Sequence, residues 1–507
     1  MELVKSPSSW KSTYPRLHYI FPILICLVLT TIFAVLNYYL YQHGFASKIL
    51  LYLGEKSLLS HNGNPPRFEN MGFANPPLPH FFTLLIKSPF IATAFIGSVI
   101  ATSILMVLFR LYRQHKISLV LYVLLFFYVT LSPLSLFLLC QQMPTAILIG
   151  LLLLIYHHLY QYCREDISYN LFVFGLLSSL VFLTEFQAVF LLFLFIFCLA
   201  RKAIEHGLLK AFSILFTCLF PVIFIVVSWC YLNLIFLGDP FYFISYWSSA
   251  LEPLLSFPDK IVHSQTAFSA LKTSLKLCYE NSLLLLPYYL CIFWVIISPR
   301  FRQSLGCVTV TIFMAPFFLL YIQLFTNFVE LNQFFFLVFV VSAVSIRIHM
   351  HEHLHSTLFS PLFTAAVAVS FCMSCWLPFN HPSSEEYTFA EYLIGNETNG
   401  NLTNYFNLID HVDPNEKILL DDTVNYPLVF LVNNPKRFVL PYEYEFDMVL
   451  SAPAQFVRYL VVSDLTLIDA VQGRYPMAVN GYVPNFSLIG KFGNLLLYEV
   501  SKPRDLI

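Results

Sequence analysis

Apolar residues fill the first 378 positions in blocks of about 20, the length a helix needs to cross the hydrocarbon layer of a bilayer. Eleven such blocks predict spanning helices, roughly at 17–41, 89–111, 117–140, 143–160, 167–184, 187–200, 208–237, 281–298, 305–325, 331–346 and 358–378. The fifth and sixth belong to one apolar run broken only by TEFQ at 184–187, so the pair reads as a helical hairpin with a tight turn. The pattern changes at LPFNHPSSEE, 377–386. Beyond it, EKILLDD, NNPKRFVLP, RYLVVSD and GNLLLYEV predict strands, and a helix is expected over 385–394. The fold class expected is therefore a polytopic α-helical membrane protein of about 11 transmembrane helices with a small C-terminal extracytoplasmic α/β domain. The domains divide at 1–378 and 379–507.

Between the blocks, two stretches are long enough to hold chemistry: 42–88 and 238–280. The first opens on ASKILLYLGEKSLLS, whose apolar residues recur at helical spacing with Lys48, Glu55 and Lys56 on the other face, which predicts a helix lying in the interface plane. It continues as GNPPRFENMGFANPPLPHFF. Prolines fix φ and remove donors, so this part predicts a rigid, non-helical turn. Orientation follows from the Lys/Arg bias. With the N-terminus inside, Lys5, Lys11, Arg16, Arg110, Arg113, Lys116, Arg164, Arg201, Lys202, Lys210, Arg300, Arg302 and Arg347 fall on the inner side. Lys48, Lys56, Arg67, Lys87, Lys260, Lys272 and Lys276 fall outside, all within the two long loops. The chain is thus expected to be a multi-pass plasma- or inner-membrane protein with a cytoplasmic N-terminus, a retained signal-anchor and an extracytoplasmic tail. Polar material able to do chemistry is concentrated outside.

Composition agrees. The chain is 58% hydrophobic and 11% charged and contains 53 Phe, with a mean hydropathy of +0.70; soluble proteins are about 25% charged. A soluble globular class is excluded, and a net charge of −1 gives no electrostatic case for nucleic acid. The 11 cysteines avoid the hydrophilic tail and lie in or beside apolar runs, where they pack as small apolar residues. Cys372 and Cys375 spell C-x-x-C, but inside an apolar helix.

Several polar residues stand out, each with a structural alternative. Arg67 and Glu69 flank the proline-rich turn, with His80 just beyond it; they are site candidates or a simple surface pair. Glu185 sits in the hairpin turn, where an acid at the membrane face is a functional candidate by default and is also simply wettable. Asp239, in FLGDPFYF, suits a helix N-cap ahead of Pro240 as well as a site. Asp421 and Asp422 end a predicted strand, fit for caps, a metal or a sugar. His349, His351, His353 and His355 belong to a loop on the inner side. Asn396, Asn401 and Asn485 begin N-x-Ser/Thr sequons.

Four stretches together resemble the GT-C superfamily of membrane glycosyltransferases, which includes the protein O-mannosyltransferases and the aminoarabinose transferase acting on lipid A. They are ANPPLPHFF (74–82), GLLSSLVFLTEFQAVFLLF (175–193), YLNLIFLGDPFYF (231–243) and NEKILLDDTVNYP (415–427). The resemblance implies a GT-C-like fold and an inverting transfer of a sugar from a polyprenyl-phosphate donor. The acceptor would be a lipid, glycan or protein on the outer face, with membrane lipids around and no nucleic acid. It implies a carboxylate base in the first outer loop. Members usually place an acid directly after the first span; here that place reads YQHGFASK. The base role falls to Glu69, with Glu55 second. Arg67, His80, Lys48 and Lys87 are the cations for the phosphate, and Glu185 and Asp239 further substrate contacts. No cofactor is certain. A divalent cation is possible, although no clear Asp-x-Asp set occurs in the outer loops. The other reading of the same layout is a non-catalytic transporter or flippase for lipid-linked saccharides. It would call for polar span interiors, and these are nearly free of charge.

Overall fold

The computed structural model describes residues 17–66, 75–114, 117–165, 167–188, 207–243, 278–297, 359–380, 384–396, 400–464 and 469–501, with isolated positions at 192–193, 195–196, 199–200, 272 and 275–276. The spans expected at 305–325 and 331–346, the histidine tract at 349–355, and Arg67 and Glu69 lie outside the described residues.

The first part is helical: α1 (Leu17–Gln42), α2 (Lys48–Asn62), α3 (Pro77–Ile86), α4 (Pro89–Arg113), α5 (Leu119–Leu131), α6 (Pro133–Gln141), α7 (Met143–Glu165), α8 (Ser168–Thr184), α9 (Leu208–Leu237), α10 (Leu286–Ile297) and α11 (Phe359–Trp376). Serine caps define several starts. Ser47, Ser88 and Ser118 accept from the backbone N–H three residues on, satisfying a donor that has no partner in the first turn. Four helices among the described residues are long and apolar enough to cross a membrane: Ile20–Gln42, Pro89–Arg113, Leu209–Leu237 and Pro361–Asn380. This is an integral membrane protein. The expected count of eleven spans reaches beyond the described residues.

The span expected at 117–140 is corrected only in its course: α5 and α6 are apolar enough together to cross a membrane, but they are bent by 51°. Pro133 has no N–H to continue α5, and its ring pushes Ser132 out of the helical region, to φ −64° and ψ 128°. The hydroxyl thus freed at the break meets α11: Ser132 Oγ donates to Ser374 Oγ over 2.8 Å.

Packing sets the direction of each helix. Phe21 meets Phe109 and Asn37 meets Phe90, so α1 and α4 run antiparallel. The end of α1, the start of α4 and the turn into α7 are joined by one buried polar knot. Asn37 Nδ2 donates to the carbonyls of Cys140 (2.9 Å) and Phe90 (3.2 Å), and Gln141 Nε2 donates to Asn37 Oδ1 (2.9 Å). Gln141 in turn accepts from the Ser47 N–H (2.9 Å), at the cap of α2. Every polar atom of the Asn37 amide group is therefore used in an apolar setting. Asn37→Leu strands the Gln141 amide and the Cys140 carbonyl at the end of α6; each buried orphan costs about 1–3 kcal/mol. A clear drop in the thermal unfolding midpoint in detergent is expected, and an unchanged midpoint would show that the knot is dispensable.

The C-terminal part carries α12 (Glu385–Leu393), α13 (Thr403–Ile409), β1 (Ile418–Leu419), α14 (Asp422–Val432), β2 (Phe438–Val439), α15 (Phe446–Ser451), β3 (Tyr459–Ser463), α16 (Ala470–Arg474), β4 (Phe486–Phe492) and β5 (Leu495–Val500). The strands form one sheet in the order β2-β1-β3-β5-β4. β1 is parallel to β2 and to β3, while β5 is antiparallel to β3 and β4. All five residues of β3 are buried, as a central strand requires. This unit rests on the end of α1 and on α2. Leu402 N–H donates to the Gly44 carbonyl (3.0 Å), Asn401 bonds both backbone groups of Ala46, and Phe389 packs between Phe45 and Phe137.

A second correction concerns α2. Its polar face was expected to be wet, with Glu55 and Lys56 turned from the membrane. Instead Glu55 is fully buried, because α14 covers that face. Gly54 permits the close approach: a Cβ there would sit 2.6 Å from the Phe430 ring of α14.

Candidate functional site

Chains of this kind place ligands at the carboxyl ends of parallel strands, where strand ends and helix starts leave polar groups converging. Here α2 docks against that edge. β1 ends two residues before Asp421, which caps α14: its Oδ1 accepts from Thr423 N–H (2.8 Å) and its Oδ2 from Ala470 N–H (2.8 Å). Asp469 closes the neighbouring turn, accepting from Ser463, Val471 and Gln472 N–H groups. With both its oxygens engaged, Asp421 takes the cap role rather than the ligand role.

Asp422 points the other way, toward α2. Lys56 Nζ lies 2.7 Å from Asp422 Oδ2 and 3.2 Å from Glu55 Oε2, and stands 5.5 Å from the centre of the Tyr52 ring. Two carboxyl groups thus converge on one ammonium, all three largely out of water. No backbone N–H or hydroxyl donates to either Glu55 oxygen among the described residues. Burial raises the Glu55 carboxyl well above its ordinary range; Lys56 opposes this and Asp422 adds to it.

His80 on α3 completes the pocket wall. It is fully buried, packs edge-on to Tyr52 at 6.0 Å, and burial assisted by Lys56 lowers it to about 3. At neutral pH it is an uncharged imidazole, which removes it from the cations that could meet a phosphate. Asn75, at the start of α3, donates to the Tyr52 hydroxyl, and Ser57 on α2 donates to the Thr83 carbonyl (3.2 Å). Tyr442 lies beside the Asn64 backbone at the end of α2, and Glu443 next to it is pushed up to about 7 by burial. The chain just before α3 is therefore fastened to α2 by the Asn75–Tyr52 bond.

A second acidic group sits at the other end of α2. Ser384 caps α12, and Glu385 Oε1 accepts from the Lys48 backbone N–H (3.0 Å). Burial pushes Glu386 up to about 7. Tyr426 on α14 stands between the two groups, perpendicular to Tyr52 at 5.5 Å.

The expected site residues are thus distributed unevenly. Glu55 and His80 share the Lys56 pocket. Lys48 is half-buried at the start of α2, and Lys87 is exposed in a left-handed cap at the end of α3. Glu185 caps α8 and Asp239 follows α9, where its Oδ1 accepts from Phe241 N–H (2.9 Å). Their two turns meet through Phe182, Phe186, Trp229 and Phe243, with Phe186 and Phe243 rings 4.8 Å apart. That aromatic cluster is separate from the Lys56 pocket, and α3 packs between them against α8. Sequence reasoning did not single out Tyr52, Asn75 and Tyr426, and read Lys56 only as part of a wet face. The available signal was the spacing of Lys48, Tyr52 and Lys56, which puts them on one face of a helix. No three His, Cys, Asp or Glu side chains gather to hold a metal among the described residues.

No family model matches the sequence, and no curated protein matches it either. Among solved structures, the chain is similar to the crystal structure of ArnT from Cupriavidus metallidurans bound to undecaprenyl phosphate. The likeness has a TM-score of 0.51 at 11% identity and spans 95% of this chain and 97% of that one. At that identity it speaks to architecture alone: the protein has an ArnT-like fold.

Proposed function

We propose that the protein is an inverting glycosyltransferase that moves a sugar from a polyprenyl-phosphate donor to an acceptor on the outer face of the membrane. The observation that carries this reading is the likeness along nearly the whole chain to ArnT, which was crystallised with undecaprenyl phosphate. In this reading residues 1–378 form the membrane domain and 379–507 an extracytoplasmic domain.

The chemistry needs a carboxylate to take the acceptor hydroxyl's proton while the lipid phosphate leaves. Glu55 is poorly suited to this. It is enclosed and held beside Asp422, and burial raises its carboxyl well above the ordinary range. The base is therefore assigned to Glu69, in the segment bounded by Asn64 and Asn75. Arg67, Lys48 and Lys87 are the cations available to the phosphate. His80 contributes a neutral ring that shapes the wall. Glu185 and Asp239 remain proposed substrate contacts from the aromatic turn. Should a divalent cation take part, it would have to use donors from the substrate phosphate as well as the protein.

Glu69→Gln is expected to lower transfer from a polyprenyl-phosphate sugar by about 10²–10⁴-fold, the usual contribution of a positioned general base. The assay is sugar transfer in nanodiscs, run beside an unfolding measurement that shows the variant intact. Wild-type turnover by an intact Glu69→Gln protein would remove the assignment.

A further inference from the structure

The Lys56 pocket holds one positive charge and two carboxyl groups. If both acids were ionised, a net negative charge would be sealed inside an interface where no backbone N–H or hydroxyl donates to Glu55 among the described residues. Such a charge is expensive in a low-dielectric setting, and the group takes up a proton instead. The geometry supplies the means: Lys56 Nζ contacts oxygens of both acids, at 2.7 Å and 3.2 Å, which brings the two carboxyl groups onto one centre.

We propose that Glu55, bridged through Lys56 to Asp422, holds a proton at this seam, and that the three side chains fasten the C-terminal unit onto α2 and make the fastening sensitive to alkali. With the proton, the pocket is neutral. Without it, one buried negative charge is left over and the seam weakens.

Among the described residues, Lys56 is the cation in contact with Glu55 and Asp422, while Lys417 acts on the neighbouring Glu443. From α3 the pocket meets neutral His80; from α2 and α14 it meets Tyr52 and Tyr426; and the stretch after β2 adds Tyr442 and Glu443, which bring no positive charge. α4 starts with Ser88 and Pro89 and has no charged residue at that end. Between α14 and β2, Lys436 is exposed, and Arg437 donates to the Asp413 and Glu416 carbonyls. Lys87 is exposed. Arg67 and Glu69 are outside the described residues.

The sign of the effect follows from linkage. The folded pocket holds its proton to higher pH than the free side chains do. The stabilisation is complete below the ordinary carboxylate range and is lost as pH rises through the raised folded value. The fastening therefore loosens toward alkaline pH.

Hydrogen exchange on the full-length protein in nanodiscs tests this, corrected for the intrinsic pH dependence of exchange and followed in peptides from 48–62 and 422–432. In the wild type, the opening constant of the seam should rise with pH above the ordinary carboxylate range, by up to tenfold per pH unit for one proton. Glu55→Gln and Asp422→Asn each leave one carboxylate against Lys56, so each should stay protected with a flat profile. A flat wild-type profile would overturn the proposal. So would a variant that keeps the wild-type slope, or one that is open even at about pH 6 while the rest of the protein stays protected. The readout does not involve sugar transfer, so it stands or falls independently of the catalytic reading.

Discussion

Lys56→Met should detach the C-terminal unit from α2. The substitution keeps the stem's length and apolar contacts and deletes only the ammonium. Glu55 and Asp422 then face each other with no cation between them. Removing one partner from a buried ion pair costs about 3–5 kcal/mol, because the remaining charge is stranded or must be neutralised. That is a large part of a typical folding free energy of about 5–15 kcal/mol. The measurement is limited proteolysis of the full chain, read at the linker into α12, together with exchange rates in 422–432. Expected are rapid cleavage and a strong rise in exchange at neutral pH, with α1 and α4 still protected. Partial recovery on acidification should follow, since protonation of Glu55, already favoured by burial, removes buried charge. A Lys56→Met protein as resistant as wild type would mean that the seam is held by its apolar contacts alone, chiefly Leu51, Tyr426 and Phe430.

The second large effect is expected inside the helical layer. Gly97 on α4 faces the backbone of α6: a Cβ at this position would lie 2.0 Å from the Leu139 carbonyl oxygen. A backbone atom has no rotamer to move into, so the two helices must separate. Overpacking of this kind costs about 1–3 kcal/mol and sometimes more. It has a consequence for α2 too. Leu139 is followed by Cys140 and Gln141, which carry the polar knot to Asn37 and the cap of α2. Gly97→Ala should therefore lower the unfolding midpoint in detergent and loosen α2 together with α6; Gly97→Leu should prevent stable assembly. Gly473→Ala is the control, because a Cβ there meets nothing within 4 Å. Equal stability of the two alanine variants would show that α4 and α6 adjust freely.

How far the sequence spoke depended on the range of the interactions. The helices of the membrane layer could be read directly, because in lipid each segment must satisfy its own backbone and length alone decides. The break between α5 and α6 was also written locally, in Ser132-Pro133, but apolar composition on both sides hid it. In the tail, β1, β2, β3 and β5 lie within stretches whose apolar runs predicted them. β4 was missed: it is an edge strand with most of its residues partly or fully exposed, so it lacks the apolar run that a central strand needs. The cap roles of Asp421 and Asp239 followed from turn chemistry over two or three residues.

The Lys56 pocket was not legible. The periodicity of α2 told which residues share a face but not what covers that face. The covering acid, Asp422, lies 366 positions away in the chain. His80 was read as a cation for the same reason, since only its enclosure by Tyr52 and its neighbours makes it neutral. By itself, then, the sequence determined a membrane-embedded helical protein with a small C-terminal sheet, through composition, spacing and caps. Tertiary structure alone decided that Glu55 is an enclosed partner of Asp422 rather than a wet surface acid. A side chain's charge state depends on the groups and the water around it, and those are set by distant segments meeting.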